Sequence, residues 1–249
     1  MTRLSINLNK IALLRNARDL AINKPDVIKS AQIVIEAGAY GVTVHPRPDE
    51  RHIKYDDARQ LCELLRSKYK DTEYNIEGNP FTGKLMELLR QLKPDQATLV
   101  PDDPGANTSD HGWDLQKNAE RVKPIVKELK ELGIRVSLFM DPQPEGIKIA
   151  KEIEADRIEL YTEPYARAFR TNQNLEQTLE QYASAAKVAH NVGLGVNAGH
   201  DLNLDNLGRF CKQCTGILEV SIGHALIADA IEMGLFDAVK EYLKILSEV

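Results

Sequence analysis

Histidines and carboxylates carry most of the chemistry this chain can offer. His45, His200 and His224 each follow a short β-forming run: YGVTVHP (40–46), LGVNAG (194–199) and ILEVSIG (217–223). Glu77 ends a similar run, EYNIEGN (73–79), and Glu159 lies inside another, RIELYT (157–162). Asn7 and Asn9 close RLSINLN (3–9), Arg47 follows the second run, Asp141 follows IRVSLFM (134–140), and Asn197 ends LGVNAG. Imidazole titrates near neutral pH, so two histidines and a carboxylate around one mouth can move protons in both directions. Three histidines also leave a metal site open as a competing reading. His190 sits in a helical pattern and reads as a surface or packing residue, and His111 lies in a long loop.

A phosphate-binding position is legible beside them. Gly223 separates the last β run from the helical pattern HALIADAI, and a helix N-terminus offers backbone N–H groups to an anion. Arg18, Arg47 and His52 add cationic donors from other loops.

Eight β runs, with QATLVP (96–101) as the one not yet named, must position these groups. Most are short, rich in Val, Ile and Leu, and bounded by Gly, Pro, Asp or Asn, as buried parallel strands are. Helical patterns alternate with them. KPDVIKSAQIVIEAG ends in glycine, DDARQLCELLRSKY opens on Asp56 as an N-cap, and NAERVKPIVKELKELG ends in a glycine just past its last turn. Eight βα units without a hairpin signal fit a closed barrel or an open doubly wound sheet. The open sheet advertises a Gly-rich turn after its first strand, whereas NKIALLRNARDL has no glycine. The sequence therefore predicts an α/β fold, one (β/α)₈ TIM barrel spanning residues 1–249. Such a barrel places catalytic groups at the C-terminal ends of its strands. Polar residues are expected to crowd that end and to be few at the other, with about a third turned outward because strands alternate faces.

Composition narrows the classes. The net charge of −5 gives no long-range attraction to nucleic acid or anionic membranes, so anionic ligands must be held by local donors. No apolar run approaches the ~20 residues of a membrane span, and the N-terminus lacks a signal-peptide core, so a cytoplasmic location is expected. Of the three cysteines, Cys211 and Cys214 form a lone CxxC at a helix end and read as structural thiols.

The segments NLNKIALLRNAR, GVTVHPRPDERHI, NIEGNP, LVPDD, VSLFMDP, IELYTEPYA, VNAGHDLN and SIGHALI occur in the order of the motifs of the pyridoxine 5′-phosphate synthase family, and from about residue 4 onward the chain resembles that family. The resemblance implies a (β/α)₈ barrel with extra helices, a homo-octamer, and a vitamin B6 biosynthetic transferase that needs no metal or organic cofactor. It implies two small phosphorylated substrates, 3-amino-2-oxopropyl phosphate and 1-deoxy-D-xylulose 5-phosphate, closed into the ring of pyridoxine 5′-phosphate. His45 and Glu77 match proton acceptors, His200 a proton donor, and Glu159 a transition-state-stabilising carboxylate. Asn7, Arg18, Gly223 and His224 match contacts to the aminoketone phosphate. Arg47, His52 and Thr108 match contacts to the deoxyxylulose phosphate. Asn9 and Lys10 stand where many members carry Asp-His, and Asp201 where many carry Gly; these positions are expected to keep substrate contacts. Two rivals differ in class. A Schiff-base aldolase would use Lys10, the one lysine at a predicted strand end. A phosphosugar-binding barrel would need none of the proton-transfer groups.

Overall fold

Alternation along each strand decides the architecture. In the computed structural model, which describes residues 1–18, 23–102, 105 and 109–249, the eight strands are β1 (Arg3–Asn7), β2 (Gly41–Val44), β3 (Glu73–Gly78), β4 (Gln96–Leu99), β5 (Arg135–Met140), β6 (Arg157–Tyr161), β7 (Gly195–Gly199) and β8 (Ile217–Ile222). All neighbours pair in parallel and β8 returns to β1, closing the barrel. Every predicted strand is present, each one to three residues shorter than predicted.

The helices are α1 (Asn9–Asn16), α2 (Val27–Glu36), α3 (Tyr55–Lys68), α4 (Leu85–Leu92), α5 (Leu115–Glu131), α6 (Pro144–Glu152), α7 (Glu163–Thr171), α8 (Leu175–Asn191), α9 (Leu207–Gln213), α10 (His224–Met233) and α11 (Leu235–Ser247). α1, α7 and α10 are the three described helices beyond one per strand, each starting two residues after a strand end. One cap differs from expectation. α3 begins a residue before Asp56, and Asp57 instead accepts the Lys54 N–H at 2.7 Å while pairing with Arg15 at 2.6 Å. Asp26 caps α2 by accepting from the Lys29 N–H at 3.0 Å.

Alternate strand residues face the helices and build the main core. Leu4, Ile6, Val42, Val44, Ile76, Leu99, Leu138, Ile158, Leu160, Val196, Val220 and Ile222 are fully or almost fully buried in one cluster with the inner faces of the helices. At roughly 1.5–3 kcal/mol per buried aliphatic side chain, this annular shell is the main stabilising term. Cys211 and Cys214 are free thiols within it, and burial pushes both up to about 12.

The other set of residues faces the barrel axis, and here the expectation of a polar mouth over an apolar floor is corrected. Ser5 bonds Thr43 at 2.8 Å, Asn75 donates to Thr43 and Thr98 donates to Asn75. Asn197 of β7 reaches across the barrel to Gln96 of β4 at 3.3 Å. Below them, Arg135 lies 2.5 Å from Glu73 and Arg157 lies 3.6 Å from Glu219. These pairings offset part of the cost of burying polar side chains in the floor, where Glu73, Gln96, Arg135, Ser137 and Glu219 each still keep one atom without a hydrogen bond.

Candidate active site

Above that paired floor, the strand ends open into a cavity of about 290 Å³. Asn7, Asn9, Lys10, His45, Arg47, His52, Glu77, Glu159, His200, Asp201, Gly223 and His224 line it, joined by Ser109 and Ser221. Of the polar groups noted at strand ends, Asp141 lies outside this cavity and Asn197 lies deeper along the axis. Far fewer than a third turn away from the interior.

The β1–α1 turn fixes one wall. Asn7 accepts the Asn9 N–H at 3.0 Å and donates to Glu77 Oε2 at 3.3 Å. Asn9 Oδ1 accepts the His45 N–H at 2.8 Å. An aspartate would accept the same bond, so asparagine keeps the positioning contact while removing a charge. Lys10 sits in the first turn of α1, not in a strand, and its side chain borders the cavity.

Titration of the mouth is governed by burial. Glu77 is driven up to about 8, first by burial and then by Asp102, against the opposing pull of Arg47 and of the Asn7 hydrogen bond. Glu159 rises well above the carboxylate range through burial and through repulsion from Glu77 and Glu219, and neither of its oxygens has a hydrogen-bond partner. His45 falls well below the usual imidazole range through burial and the nearby Arg47. His52 and His200 are both held down to about 4, chiefly by burial. At neutral pH the free site therefore holds neutral imidazoles and protonated or half-protonated carboxyls. His45 Nδ1 lies 3.9 Å from Glu77 Oε2, too far to neutralise it by a hydrogen bond.

His52 departs from the cationic donor expected of it. Its Nδ1 accepts the Ile53 N–H at 2.9 Å, so a neutral ring keeps its proton on Nε2. Arg47 is the cation, and it pairs with Asp102, which also accepts from Ser109 at 2.8 Å.

His200 and Asp201 are held in an unusual turn. Both lie in the left-handed region, at φ 81° and 59°. Thr162, fully buried just past β6, donates its hydroxyl to the carbonyls of Gly199 and His200, and Asn206 donates to the Asp201 carbonyl at 3.1 Å. The His200 ring packs between Phe139 and Tyr161, with centroids 4.9 and 5.6 Å away. A glycine suits the φ of position 201, and aspartate is among the few other residues that adopt it readily.

Gly223 precedes α10, and a Cβ there would lie 3.2 Å from Asn7 Cβ, so glycine permits the close approach of β8 to β1. The amides that open α10 border the cavity. Arg18 is exposed and lies in a second hollow with Arg15, Glu50 and Arg51, apart from this cavity. Thr108 lies outside the described residues. Sequence reasoning missed Ser109, Ser221 and Asp102. Ser221 follows the inward phase of Glu219 along β8 and was findable by alternation; Asp102 and Ser109 lie in a loop with no periodic signal. His111 is exposed and paired with Asp110, and His190 is exposed, its ring filling space left by Gly216. Among the described residues, no group of three or more His, Cys, Asp or Glu is arranged to hold a metal ion.

A cavity with neutral bases, neutral acids, an arginine and a helix N-terminus suits proton-transfer chemistry on phosphorylated molecules. Comparison with known proteins agrees. The family model described as "Pyridoxal phosphate biosynthesis protein PdxJ" matches residues 4–248. Pyridoxine 5′-phosphate synthase of Albidiferax ferrireducens is 50% identical over 252 residues, covering 99% of this chain and 98% of the relative. The protein of the same name from Flavobacterium johnsoniae is 50% identical over 244 residues, covering 98% and 99%. Among solved structures, thiamine phosphate pyrophosphorylase from Pyrococcus furiosus superposes with a TM-score of 0.60 at 18% identity, covering 99% of this chain and 96% of that one, a likeness of fold alone. The barrel, its mouth and the match along nearly the whole length place this chain in the PdxJ family of pyridoxal phosphate biosynthesis proteins.

Proposed function

We infer that the chain catalyses the condensation of 3-amino-2-oxopropyl phosphate with 1-deoxy-D-xylulose 5-phosphate to pyridoxine 5′-phosphate, phosphate and water. The observation that carries this reading is the collection of His45, Glu77, Glu159 and His200 around one cavity bordered by the N-terminus of α10 and by Arg47.

In the proposed scheme, the α10 amides at Gly223 and His224, with Asn7 and the backbone at Asp201, receive the aminoketone phosphate. Arg47, the His52 Nε2–H, Asn9 and Lys10 receive the deoxyxylulose phosphate. Arg18 and Thr108 join these two sets on the strength of the family resemblance. Fixing both phosphates brings the amine of one substrate to the carbonyl of the other, which supplies proximity. His45, neutral in the free site, takes a proton from carbon. Glu77, with its carboxyl near 8, serves as the second acceptor in its ionised form. Glu159 stays protonated and donates a hydrogen bond to oxygen that gains negative charge. The two incoming phosphates favour the imidazolium form of His200, which then delivers a proton to a departing hydroxyl.

The reaction is proposed to run in the cytoplasm in a homo-oligomer, the octamer of the family. α1 and α10 touch each other and leave Leu14 and Ile231 56% and 77% exposed, an apolar surface suited to a second copy. No described helix is long and apolar enough to cross a membrane.

The test is to incubate the purified protein with both substrates and follow pyridoxine 5′-phosphate and inorganic phosphate together. The reading predicts equimolar appearance of the two, and no product from either substrate alone. Phosphate release without the pyridine product, or no turnover at all, would contradict it.

A further inference from the structure

Ser221 is a buried hydroxyl that the fold leaves without a partner. It is 6% exposed, borders the cavity, and its Oγ makes no hydrogen bond. Ser5 bonds Thr43 and Thr98 bonds Asn75, and the other unpaired axis-facing hydroxyl, Ser137 on β5, does not border the cavity. An unpaired buried hydroxyl is costly, and in a ligand cavity that cost is relieved when a ligand supplies the missing bond.

Its position names the part of the ligand it meets. Ser221 lies on β8 two residues before Gly223, the residue that caps α10. A strand rises ~3.3 Å per residue, so the hydroxyl sits roughly 6–7 Å deeper than the helix N-terminus. An extended aminoketone phosphate spans about 6 Å from phosphorus to amine, over five bonds of about 1.5 Å. A phosphate on the α10 amides thus sends its carbonyl and amine end down to Ser221. The opposite side of this deep end is open for the same reason. Gly199 pairs with Ser221 across β7 and β8, and a Cβ on Gly199 would lie 2.6 Å from Glu159 Oε1. The carboxyl of Glu159, also without a partner, occupies that space. Two unpaired polar groups therefore flank Gly199 at the depth where the reacting end of one substrate arrives.

We propose that Ser221 is a substrate-binding residue that hydrogen-bonds the carbonyl–amine end of the aminoketone phosphate and so selects that substrate in the deep half of the cavity. The proposal rests on the reading of function given above. Ser221→Ala removes only the hydroxyl. It is expected to raise KM for 3-amino-2-oxopropyl phosphate about tenfold while KM for 1-deoxy-D-xylulose 5-phosphate and Tm stay at wild-type values. A calorimetric titration separates this from general damage: the variant is expected to bind 3-amino-2-oxopropyl phosphate about tenfold more weakly but inorganic phosphate as wild type does. Unchanged KM for both substrates, an equal rise in both, or an equal loss of inorganic phosphate binding would overturn the proposal. Failure of the wild type to form product would instead sink the functional reading, and the titration arm would still decide whether Ser221 binds the aminoketone.

Discussion

Glu73 and Glu77 are the same residue type on the same strand, four positions apart, both facing the barrel axis and both buried. Their protonation differs. Burial alone would raise Glu73, but a hydrogen bond with Glu219 and the guanidinium of Arg135 hold it below the usual carboxylate range. Glu77 has an amide for a hydrogen-bond partner and Asp102 for a neighbour, so burial wins and its carboxyl rises to about 8. The floor sets its carboxylates against guanidinium groups, Arg135 on Glu73 and Arg157 near Glu219, whereas the mouth leaves the Glu159 carboxyl with no partner at all. The first arrangement serves stability, and the second serves a ligand that brings the missing partners.

Removing a mouth group is expected to cost chemistry and spare the fold. His45→Ala should lower kcat by about 10²–10⁴, the range for a lost general base, with Tm within a few degrees of wild type in a thermal melt. A loss of fold equal to the loss of rate would erase the distinction between the two ends. The floor should show the converse. Arg135→Met leaves Glu73 buried without its cation and should cost about 3 kcal/mol, or roughly 6–12 °C in Tm, because breaking a buried pair strands the other charge. The folded fraction should keep kcat within about threefold. The smallest effect belongs to the turn that links the two regions. Asn9→Ala removes the acceptor of the His45 N–H and should lower kcat about tenfold through misplacement of the ring. Asn9→Asp keeps the acceptor and should stay within about threefold. Equal losses in both would place the contribution of Asn9 in its charge instead.

Much of this was legible in the sequence, for physical reasons. The eight strands announce themselves because most of their helix-facing residues are β-branched or leucine and most of their ends are Gly, Pro, Asp or Asn. The mouth was legible because His45, Glu77, Glu159 and His200 sit at or near strand ends, where the closed barrel brings them together. The floor was not. Alternation marks Glu73, Gln96, Arg135 and Glu219 as inward, but the general expectation of an apolar barrel interior overrode it, and pairing between strands far apart in sequence leaves no local signal. Asp102 and Thr162 escaped for the same reason: each acts on a residue more than thirty positions away. The neutral state of His52 was hidden too, since it depends on burial and on one backbone N–H.

The most direct test sets Glu77→Gln beside Glu73→Gln, measuring pyridoxine 5′-phosphate formation and Tm for each at pH 6 and pH 9. A carboxyl raised to about 8 in the fold contributes its stability in full below the unfolded value near 4.3 and loses it as pH rises through 8. Glu77→Gln should therefore lose at least about a hundredfold in turnover, and its Tm relative to wild type should rise between pH 6 and pH 9. Glu73→Gln, which loses an ionised carboxylate whose pKa is depressed, should lower Tm at both pH values and turn over within a few-fold of wild type. Wild-type turnover in Glu77→Gln, or abolished turnover with an unchanged Tm in Glu73→Gln, would contradict the division of the barrel into a reactive mouth and an ion-paired floor.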